Sequence, residues 1–193
     1  MDNWINDPYP HCFGTGFFSD DQYKAMLRNL PQENEMEEAD PSYKHPDISV
    51  RRDSCLRYCV YEDTPNPFWH EVFKFIKDQY PKERTSILLY KSLPGFNLLP
   101  HTDFVTKNET TVYYLTDKEI PDIGTVIYKC RIPNFKCPDG KTHYGSRAFN
   151  IEKIAPFVPN GYMKFKRSAV SFHGVESCPV VRWAIYFTRY LPC

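Results

Sequence analysis

The order of apolar and polar residues divides the chain into a helical first part and a strand-rich remainder. Apolar residues recur at helical spacing after Ser19, which is a suitable N-cap, and Pro31 ends this first helix. Residues 67–80 predict a second helix, which Pro81 ends. Its apolar stripe, opposite a charged face, is formed by Phe68, Val72, Phe73, Ile76 and Tyr80. We expect this stripe to pack on a sheet.

From about residue 85 onward, short apolar or alternating runs are separated by Pro, Gly, Asn and Asp. In residues 124–130, for example, successive side chains alternate between two kinds of face, which is typical of a strand. Residues 131–150 are rich in Pro, Gly, Lys and Asn and predict a long loop. Eight runs predict strands, at 85–91, 97–103, 110–116, 124–130, 154–158, 162–166, 169–175 and 181–190.

The succession of two helices and eight short strands predicts a mainly β fold with flanking helices. We expect a double-stranded β-helix, that is a jelly roll or cupin-like barrel, with the N-terminal helices packed on one sheet. The length of 193 residues suits a single domain, 1–193. Within it we expect residues 1–84 to form a helical and lid region and residues 85–190 to form the jelly-roll core.

Composition and charge narrow the class of protein further. Aromatic residues make up 16% of the chain, and 24 basic residues balance 24 acidic ones, which excludes a disordered chain. Zero net charge argues against a nucleic-acid partner without excluding one. No segment resembles a targeting signal or a spanning helix, which predicts a cytoplasmic protein with no membrane partner. The odd number of cysteines, seven, predicts reduced thiols and no disulfide framework.

The strongest chemical signal is a set of two histidines and one aspartate. His101 and Asp103 are two positions apart, so their side chains point to the same face of a strand. His173 lies on a distant predicted strand of the same barrel and supplies a third ligand. Two histidines and one carboxylate on one side of a metal form the facial triad of non-haem Fe(II) oxygenases, which leaves three positions open. The alternative for each residue is a structural or surface role.

A second candidate is Arg182, which stands in the apolar run Val181–Phe187. Burial of a guanidinium is costly unless it meets an anion, and a carboxylate is its natural bidentate partner. The far carboxylate of a bound 2-oxo acid would satisfy Arg182, while the 2-oxo group and the near carboxylate chelate iron. A structural carboxylate such as Glu176 is the alternative partner.

These residues lie in or beside spans that resemble the Fe(II)/2-oxoglutarate-dependent oxygenase superfamily, and most closely its prolyl-hydroxylase-like and bacterial or phage-type branch. The resemblance covers roughly residues 85–190 and includes the signatures PHTD and HGV. The spans are Tyr90–Asp103, Thr110–Leu115, Gly124–Tyr128, Pro156–Asn160 and Ser171–Val175.

The resemblance implies a chemistry and a set of site residues. By it, His101, Asp103 and His173 would bind Fe(II). Arg182 would bind the C5 carboxylate of the co-substrate 2-oxoglutarate, and Tyr90 would hydrogen-bond this co-substrate. The implied reaction uses O2, releases succinate and CO2, and hydroxylates a C–H bond. The substrate is not identified by the sequence, and a small molecule or a protein side chain is favoured.

Two positions depart from the family pattern. Many members carry Ser or Thr two residues after the arginine, where this chain has Ala184, so another donor such as Tyr90 or Tyr114 must serve. Collagen-type prolyl hydroxylases usually carry Lys at the position of Arg182, which disfavours that specific assignment.

Two other function classes remain open on the sequence. A cupin-like metalloenzyme would use the same ligands without 2-oxoglutarate, and it would have no need of Arg182. A non-enzymatic jelly-roll binding module would leave His101, Asp103 and His173 unexplained. A metal-binding measurement separates the binding module from both enzymes.

The remaining candidates are given structural or surface roles. Lys107 either faces the site or is a solvated loop residue, and the solvated loop residue is expected. Cys130, Cys137 and His143 lack the closely spaced cysteine pair of a zinc site. The histidines without an assigned role are His11, His45, His70 and His143. The arginines expected in an exposed charged stretch are Arg51, Arg52 and Arg57.

Overall fold

The computed structural model describes residues 3–38, 57–137 and 143–192. His45, Arg51 and Arg52 lie outside the described residues. The described chain forms two helices, α1 (Asp20–Arg28) and α2 (Pro67–Asp78). Its strands are β1 (His11–Thr15), β2 (Glu37–Glu38), β3 (Arg57–Tyr61), β4 (Thr85–Ser92), β5 (Leu98–His101), β6 (Lys107–Leu115), β7 (Val126–Cys130), β8 (Phe149–Ile154), β9 (Gly161–Lys166), β10 (His173–Val175) and β11 (Arg182–Tyr190).

Local chemistry fixes the start of each helix. The Ser19 side chain accepts a hydrogen bond from the Gln22 amide, and the Gln22 side chain accepts one from the Ser19 amide. Asn66 caps α2 by accepting from the Trp69 amide, and Pro67 occupies the first turn. Both predicted helices are confirmed, each ending slightly earlier than expected. Neither is long and apolar enough to cross a membrane.

The strands pair antiparallel in two sheets. The larger sheet has seven strands in the order β1-β9-β6-β11-β4-β3-β2, and the smaller has four in the order β5-β10-β7-β8. From β4 onward the chain passes repeatedly between them: β4, β6, β9 and β11 lie in the larger sheet, and β5, β7, β8 and β10 in the smaller. The protein is therefore mainly β, with antiparallel sheets in a jelly-roll-like arrangement.

Most of the predicted strands are present, although β5 and β10 are shorter than expected. The prediction of a strand at 154–158 is wrong, because β8 runs from Phe149 to Ile154 and its first two residues lie in the predicted loop 131–150. Four central residues of β8 are exposed at the edge of the smaller sheet, so this strand lacks the apolar alternation that marks the others. The sequence also does not predict β1, β2 and β3, which extend the larger sheet at its two edges.

One face of the larger sheet carries a buried apolar cluster. The register pairs Ile185 with Leu89 and Phe187 with Ile87 across β11 and β4, which puts these four side chains on one face. The same cluster contains helix residues, namely Tyr23, Met26, Trp69, Phe73 and Ile76. Each such side chain contributes about 1.5–3 kcal/mol on burial, so the cluster is a main source of stability.

The other face of the larger sheet turns toward the smaller sheet. Alternate residues of a strand point to opposite faces, so Tyr114 of β6 and Ala184 of β11 lie opposite the helix side. Their cluster includes Ile127 of β7 and Val175 of β10, and it therefore joins the two sheets. The polar residues described below border this second cluster.

Replacing Trp69 by Ala should lower the free energy of unfolding by about 3–5 kcal/mol. Trp69 is fully buried, and its indole Nε1 donates a hydrogen bond of 2.9 Å to the carbonyl oxygen of Asn29. Urea unfolding followed by circular dichroism measures the change. His70→Ala, at the exposed neighbouring position, is the control and should shift the value by less than about 0.5 kcal/mol. Equal losses in the two variants would contradict the packing described for α2.

Candidate metal centre

The three predicted ligands lie together at the paired ends of two strands. His101 ends β5 and His173 begins β10, and the antiparallel register places them directly opposite one another. One ligand atom from each of His101, Asp103 and His173 lies within 4.8 Å of the others, and each residue is at most 7% exposed. Within the described ranges, this is the one group of three or more His, Cys, Asp or Glu side chains close enough to hold a metal ion.

Both histidines are oriented by the same kind of hydrogen bond. Nδ1 of His101 lies 2.9 Å from the carbonyl oxygen of Leu99, and Nδ1 of His173 lies 2.9 Å from that of Ser171. A carbonyl oxygen only accepts, so Nδ1 donates and carries the ring proton in both residues. Nε2 is then unprotonated, which leaves its lone pair for a metal ion.

Burial keeps the two imidazoles neutral. It lowers the pKa of His173, and it lowers the pKa of His101 well below the ordinary value, with the neighbouring His173 and His143 adding to the effect. The charge of Asp103 raises the pKa of each histidine but does not outweigh burial. A divalent metal ion binds neutral imidazole, so the site has the required protonation state near neutral pH.

The third ligand, Asp103, is ionised and hydrogen-bonded at both oxygens. Lys107 Nζ donates to Oδ1 and Thr110 Oγ1 donates to Oδ2, each at 2.7 Å. Burial is the largest single influence and would raise the pKa of Asp103. The charge and hydrogen bond of Lys107, together with the neighbouring His173 and His101, outweigh burial and hold that pKa below its usual range. The expectation that Lys107 is a solvated loop residue is wrong, because a tight turn between β5 and β6 brings its ammonium onto the carboxylate.

A further histidine contacts the centre. The His143 ring stacks on the His101 ring with 4.6 Å between centroids and 30° between planes. The amide of the next residue, Tyr144, donates to the carbonyl oxygen of Pro100 and fixes this segment beside β5. Nothing in the sequence marks the contact, because it depends on the backbone hydrogen bond that holds Tyr144 beside β5.

The close pairing of β5 and β10 requires a glycine beside His173. A Cβ on Gly174 would collide with the carbonyl oxygen of Leu98 and would lie 3.1 Å from the ring of Tyr128. Glycine therefore lets β10 approach β5 closely enough to face His173 with His101. The HGV signature combines a ligand with the residue that sets the spacing of the two strands.

Arg182 is fully buried at the start of β11, and its guanidinium is hydrogen-bonded on three nitrogens. Nε donates to the carbonyl oxygen of Ile123 at 3.0 Å. Nη1 donates to the Tyr186 hydroxyl at 3.2 Å, and Nη2 donates to the Thr125 hydroxyl at 3.4 Å. The guanidinium is thus held in place by one backbone oxygen and two hydroxyl groups.

All of these partners are neutral. In the part of the chain that the structure describes, no carboxylate lies within ion-pairing distance of Arg182. Glu176, the alternative partner considered from the sequence, instead accepts a hydrogen bond from the Tyr128 hydroxyl at 2.6 Å. A buried guanidinium without a counter-ion is costly, so the arrangement fits an anionic ligand beside Arg182.

Tyr90 is linked to the Arg182 guanidinium through Tyr186, which contacts both residues. The cross-strand register places Tyr90, Ala184 and Tyr114 in one row across β4, β11 and β6. The Tyr90 ring meets the Tyr186 ring edge-on, with 5.0 Å between centroids. Sequence reasoning missed Tyr186, although its position four residues after Arg182 on the same face of β11 is a usable signal.

The fold is shared with solved structures of enzymes. A prolyl-4-hydroxylase from Pseudomonas putida aligns with 94% of this chain and 92% of its own, at 14% identity and a TM-score of 0.61. A prolyl hydroxylase from Trichoplax adhaerens, in complex with a hypoxia inducible factor peptide fragment, aligns with 93% of this chain and 83% of its own, at 14% identity and a TM-score of 0.61. HygX from Streptomyces hygroscopicus, with nickel and 2-oxoglutarate bound, aligns with 93% and 82%, at 11% identity and a TM-score of 0.59.

No family model and no curated protein matches the sequence. The solved structures above are Fe(II)/2-oxoglutarate-dependent oxygenases. The chain therefore has the fold of these oxygenases, and the resemblance inferred from its sequence is confirmed at the level of the fold.

Gly174→Ala should weaken metal binding and lower the free energy of unfolding by about 1–3 kcal/mol. The new methyl group must push β10 away from β5, which separates His173 from His101. Isothermal titration with Ni(II) and urea unfolding measure the two effects. Gly145→Ala is the matched control. It should leave the Ni(II) affinity and the free energy of unfolding unchanged, since a Cβ at this position meets no atom within 4 Å. Unchanged Ni(II) affinity in Gly174→Ala would show that this strand contact does not set the ligand spacing.

In the metal-free protein, stability should fall as the pH is lowered from about 7.5 to about 5.5. Because the pKa values of His101 and His173 are lowered in the folded state, the unfolded chain binds protons near pH 6.5 that the folded chain does not. The free energy of unfolding is therefore highest above that pH and decreases below it. Urea unfolding in EDTA measures the slope. Replacing both His101 and His173 by Gln should make the slope of the free energy of unfolding against pH shallower, whereas His70→Gln should leave that slope unchanged. Equal slopes in the unaltered protein and both variants would show that His101 and His173 do not cause the pH dependence.

Proposed function

We propose that the chain is a non-haem Fe(II)- and 2-oxoglutarate-dependent dioxygenase that hydroxylates a C–H bond of its substrate. The observation that carries the proposal is the buried group of His101, Asp103 and His173, which offers two neutral imidazoles and one ionised carboxylate. This donor set is typical of non-haem Fe(II) oxygenases. The fold that the chain shares with such enzymes supports the same assignment.

His101 and His173 would hold Fe(II) through Nε2, and Asp103 would hold it through a carboxylate oxygen. When bound, the iron, 2-oxoglutarate and O2 supply an oxidation in which the co-substrate loses CO2 to become succinate and a substrate C–H bond becomes C–OH. The chain's own residues keep the imidazoles neutral, hold the ligands in one orientation and limit access of water to the site. With the three ligands on one side, the opposite side is left for the co-substrate and the substrate.

Arg182 would bind the far carboxylate of 2-oxoglutarate. Its buried charge lacks a carboxylate partner among the described residues, and a dicarboxylate supplies one. The hydroxyls of Tyr186 and Thr125 contact the guanidinium, which supports taking them as the replacement for the donor that is missing at Ala184. Tyr90 would contact the co-substrate from β4, beside Tyr186.

The proposal extends to the architecture. We infer that β4 to β11 form a double-stranded β-helix, an assignment supported by the passage of the chain between the two sheets. The N-terminal helices would pack on the larger sheet, which the shared apolar cluster supports. We take residues 1–193 as a single domain, with 85–190 as its jelly-roll core and 1–84 as its helical and lid region.

The proposed substrate is a small molecule or a protein side chain in the cytoplasm. One of the prolyl hydroxylases holds a peptide, and a HygX structure holds hygromycin B, so both classes of substrate are bound by proteins with this fold. The zero net charge of the chain argues against a nucleic acid.

Two other classes of function are disfavoured by particular residues. A cupin-like metalloenzyme without 2-oxoglutarate would use the same triad, but it gives no reason to bury Arg182 without a carboxylate. A non-enzymatic jelly-roll binding module gives no reason to gather His101, Asp103 and His173 in a buried group.

Anaerobic mixing of the protein with Fe(II) and 2-oxoglutarate should produce a visible metal-to-ligand charge-transfer band, because the 2-oxo acid then chelates the iron. His101→Ala removes a ligand and should abolish the band. Arg182→Met should weaken 2-oxoglutarate binding at least about 30-fold, since losing one partner of a buried charge pair costs about 2 kcal/mol or more. Tyr186→Phe should weaken 2-oxoglutarate binding about 5-fold, because it removes one hydrogen bond, which contributes about 1 kcal/mol.

Arg147→Met changes an exposed arginine and is the matched control, which should bind the co-substrate normally. A protein that binds Fe(II) but gives no band would sink the 2-oxoglutarate assignment and favour the cupin-like enzyme. If the protein binds no metal at all, the non-enzymatic binding module is the remaining assignment. Succinate release then provides the assay for a substrate screen.

A further inference from the structure

Both oxygens of the Asp103 carboxylate are engaged by side chains of the same protein. Lys107 Nζ and Thr110 Oγ1 donate to Oδ1 and Oδ2 respectively, each at 2.7 Å. The side chains of Asp103 and Lys107 are 8% and 19% exposed, and Thr110 is 4% exposed. These are therefore not surface contacts, and hydrogen bonds to an ionised group of this length are among the stronger ones in proteins.

The two donors lie on β6, the strand that follows the ligand Asp103 in the chain. The Lys107 amide donates to the carbonyl oxygen of Phe104 at 3.0 Å, which closes a tight turn directly after Asp103. Thr110 lies further along β6, where the register pairs it with Phe165 of β9 and Thr188 of β11. Thr110 is thus fixed inside the larger sheet, and its hydroxyl connects that sheet to a ligand next to the smaller one.

The backbone of Asp103 is fixed as well. Arg167, which follows β9, donates from Nε to the carbonyl oxygen of Asp103 at 3.1 Å. Asp103 is therefore held at three atoms, two of them bound by residues of β6 and the third by the segment that follows β9. Each ligand histidine, by contrast, is held through its Nδ1 by a carbonyl of its own segment.

This arrangement limits how the carboxylate can move. An ionised carboxylate has about four lone-pair sites on its two oxygens, and Lys107 and Thr110 each use one. Rotation of the carboxylate would break both hydrogen bonds. A metal ion that arrives between His101 and His173 then meets a carboxylate that is already oriented.

We propose that Lys107 and Thr110 are positioning residues that orient the Asp103 carboxylate for the metal ion. This proposal rests on the proposed metal site. Lys107 also has an opposing effect, because its ammonium repels a divalent cation. If orientation dominates, removing the ammonium weakens metal binding; if repulsion dominates, removing it strengthens metal binding. The sign of the change therefore decides between the two roles.

The experiment measures the affinity of the full chain for Co(II), with no substrate present. Lys107→Met keeps the length of the side chain and removes its donor, and Thr110→Val keeps the shape and removes the hydroxyl. Each should weaken Co(II) binding about 10-fold or more, since losing the partner of a metal ligand typically costs 10–100-fold. Lys107→Arg and Thr110→Ser retain a donor and should recover most of the affinity. Lys82→Met, at an exposed position, is the control.

A second readout separates positioning from a structural role. At saturating Co(II), the visible absorption bands of the ion report its coordination geometry, and they should change in Lys107→Met and Thr110→Val. A merely structural role would lower the unfolding temperature of the metal-free protein and leave the bands of the Co(II) form unchanged.

The proposal would be overturned if the Lys107→Met variant bound Co(II) as tightly as the unaltered protein, or more tightly. Unchanged affinity and unchanged bands in Thr110→Val would do the same. These results differ from failure of the metal site itself, in which the unaltered protein binds no Co(II) and the proposed function fails together with this inference.

Discussion

The pairing of β5 with β10 is the contact on which the candidate site depends. His101 and His173 are far apart in sequence, and they meet because the antiparallel register sets them opposite one another. Each ring is then fixed by a carbonyl two residues earlier in its own segment, so the direction of both Nε2 atoms follows from the backbone. Because β10 is only three residues long, the close approach that Gly174 permits has a large effect on where His173 lies. The geometry of the metal ligands is thus a consequence of strand pairing.

Two buried or half-buried cations differ in whether a carboxylate of the described chain compensates their charge. Lys107 meets the carboxylate of Asp103, so its charge is compensated within the chain. Arg182 is more deeply buried and is surrounded by hydroxyls, a carbonyl and the faces of the Tyr114 and Phe157 rings, all of them neutral. Such a group lowers stability unless a ligand supplies an anion, and proteins keep groups of this kind mainly at functional sites. The two large apolar clusters offset that cost.

The sequence predicts the parts of the site that follow from strand periodicity. The same-face spacing of His101 and Asp103 and the apolar setting of Arg182 are visible in the chain itself. The contact of Lys107 depends on a tight turn, and that of His143 depends on the path of a long connection, so neither follows from residue type. The exposed strand β8 and the short strands β1 to β3 also lack a clear apolar pattern, whereas both amphipathic helices have one.

Strand β6 runs between the candidate metal centre and the guanidinium of Arg182. Thr110 and Tyr114 are four residues apart, so their side chains lie on the same face of this strand. Thr110 donates to the ligand Asp103, and the Tyr114 ring lies 5.4 Å from the guanidinium carbon of Arg182. Four residues of a strand span about 13 Å, which is the length of β6 between Thr110 and Tyr114. The length of β6 cannot vary without breaking its pairing with β9 and β11. In the proposed function, this length therefore sets the separation between the metal and Arg182, which binds the far carboxylate.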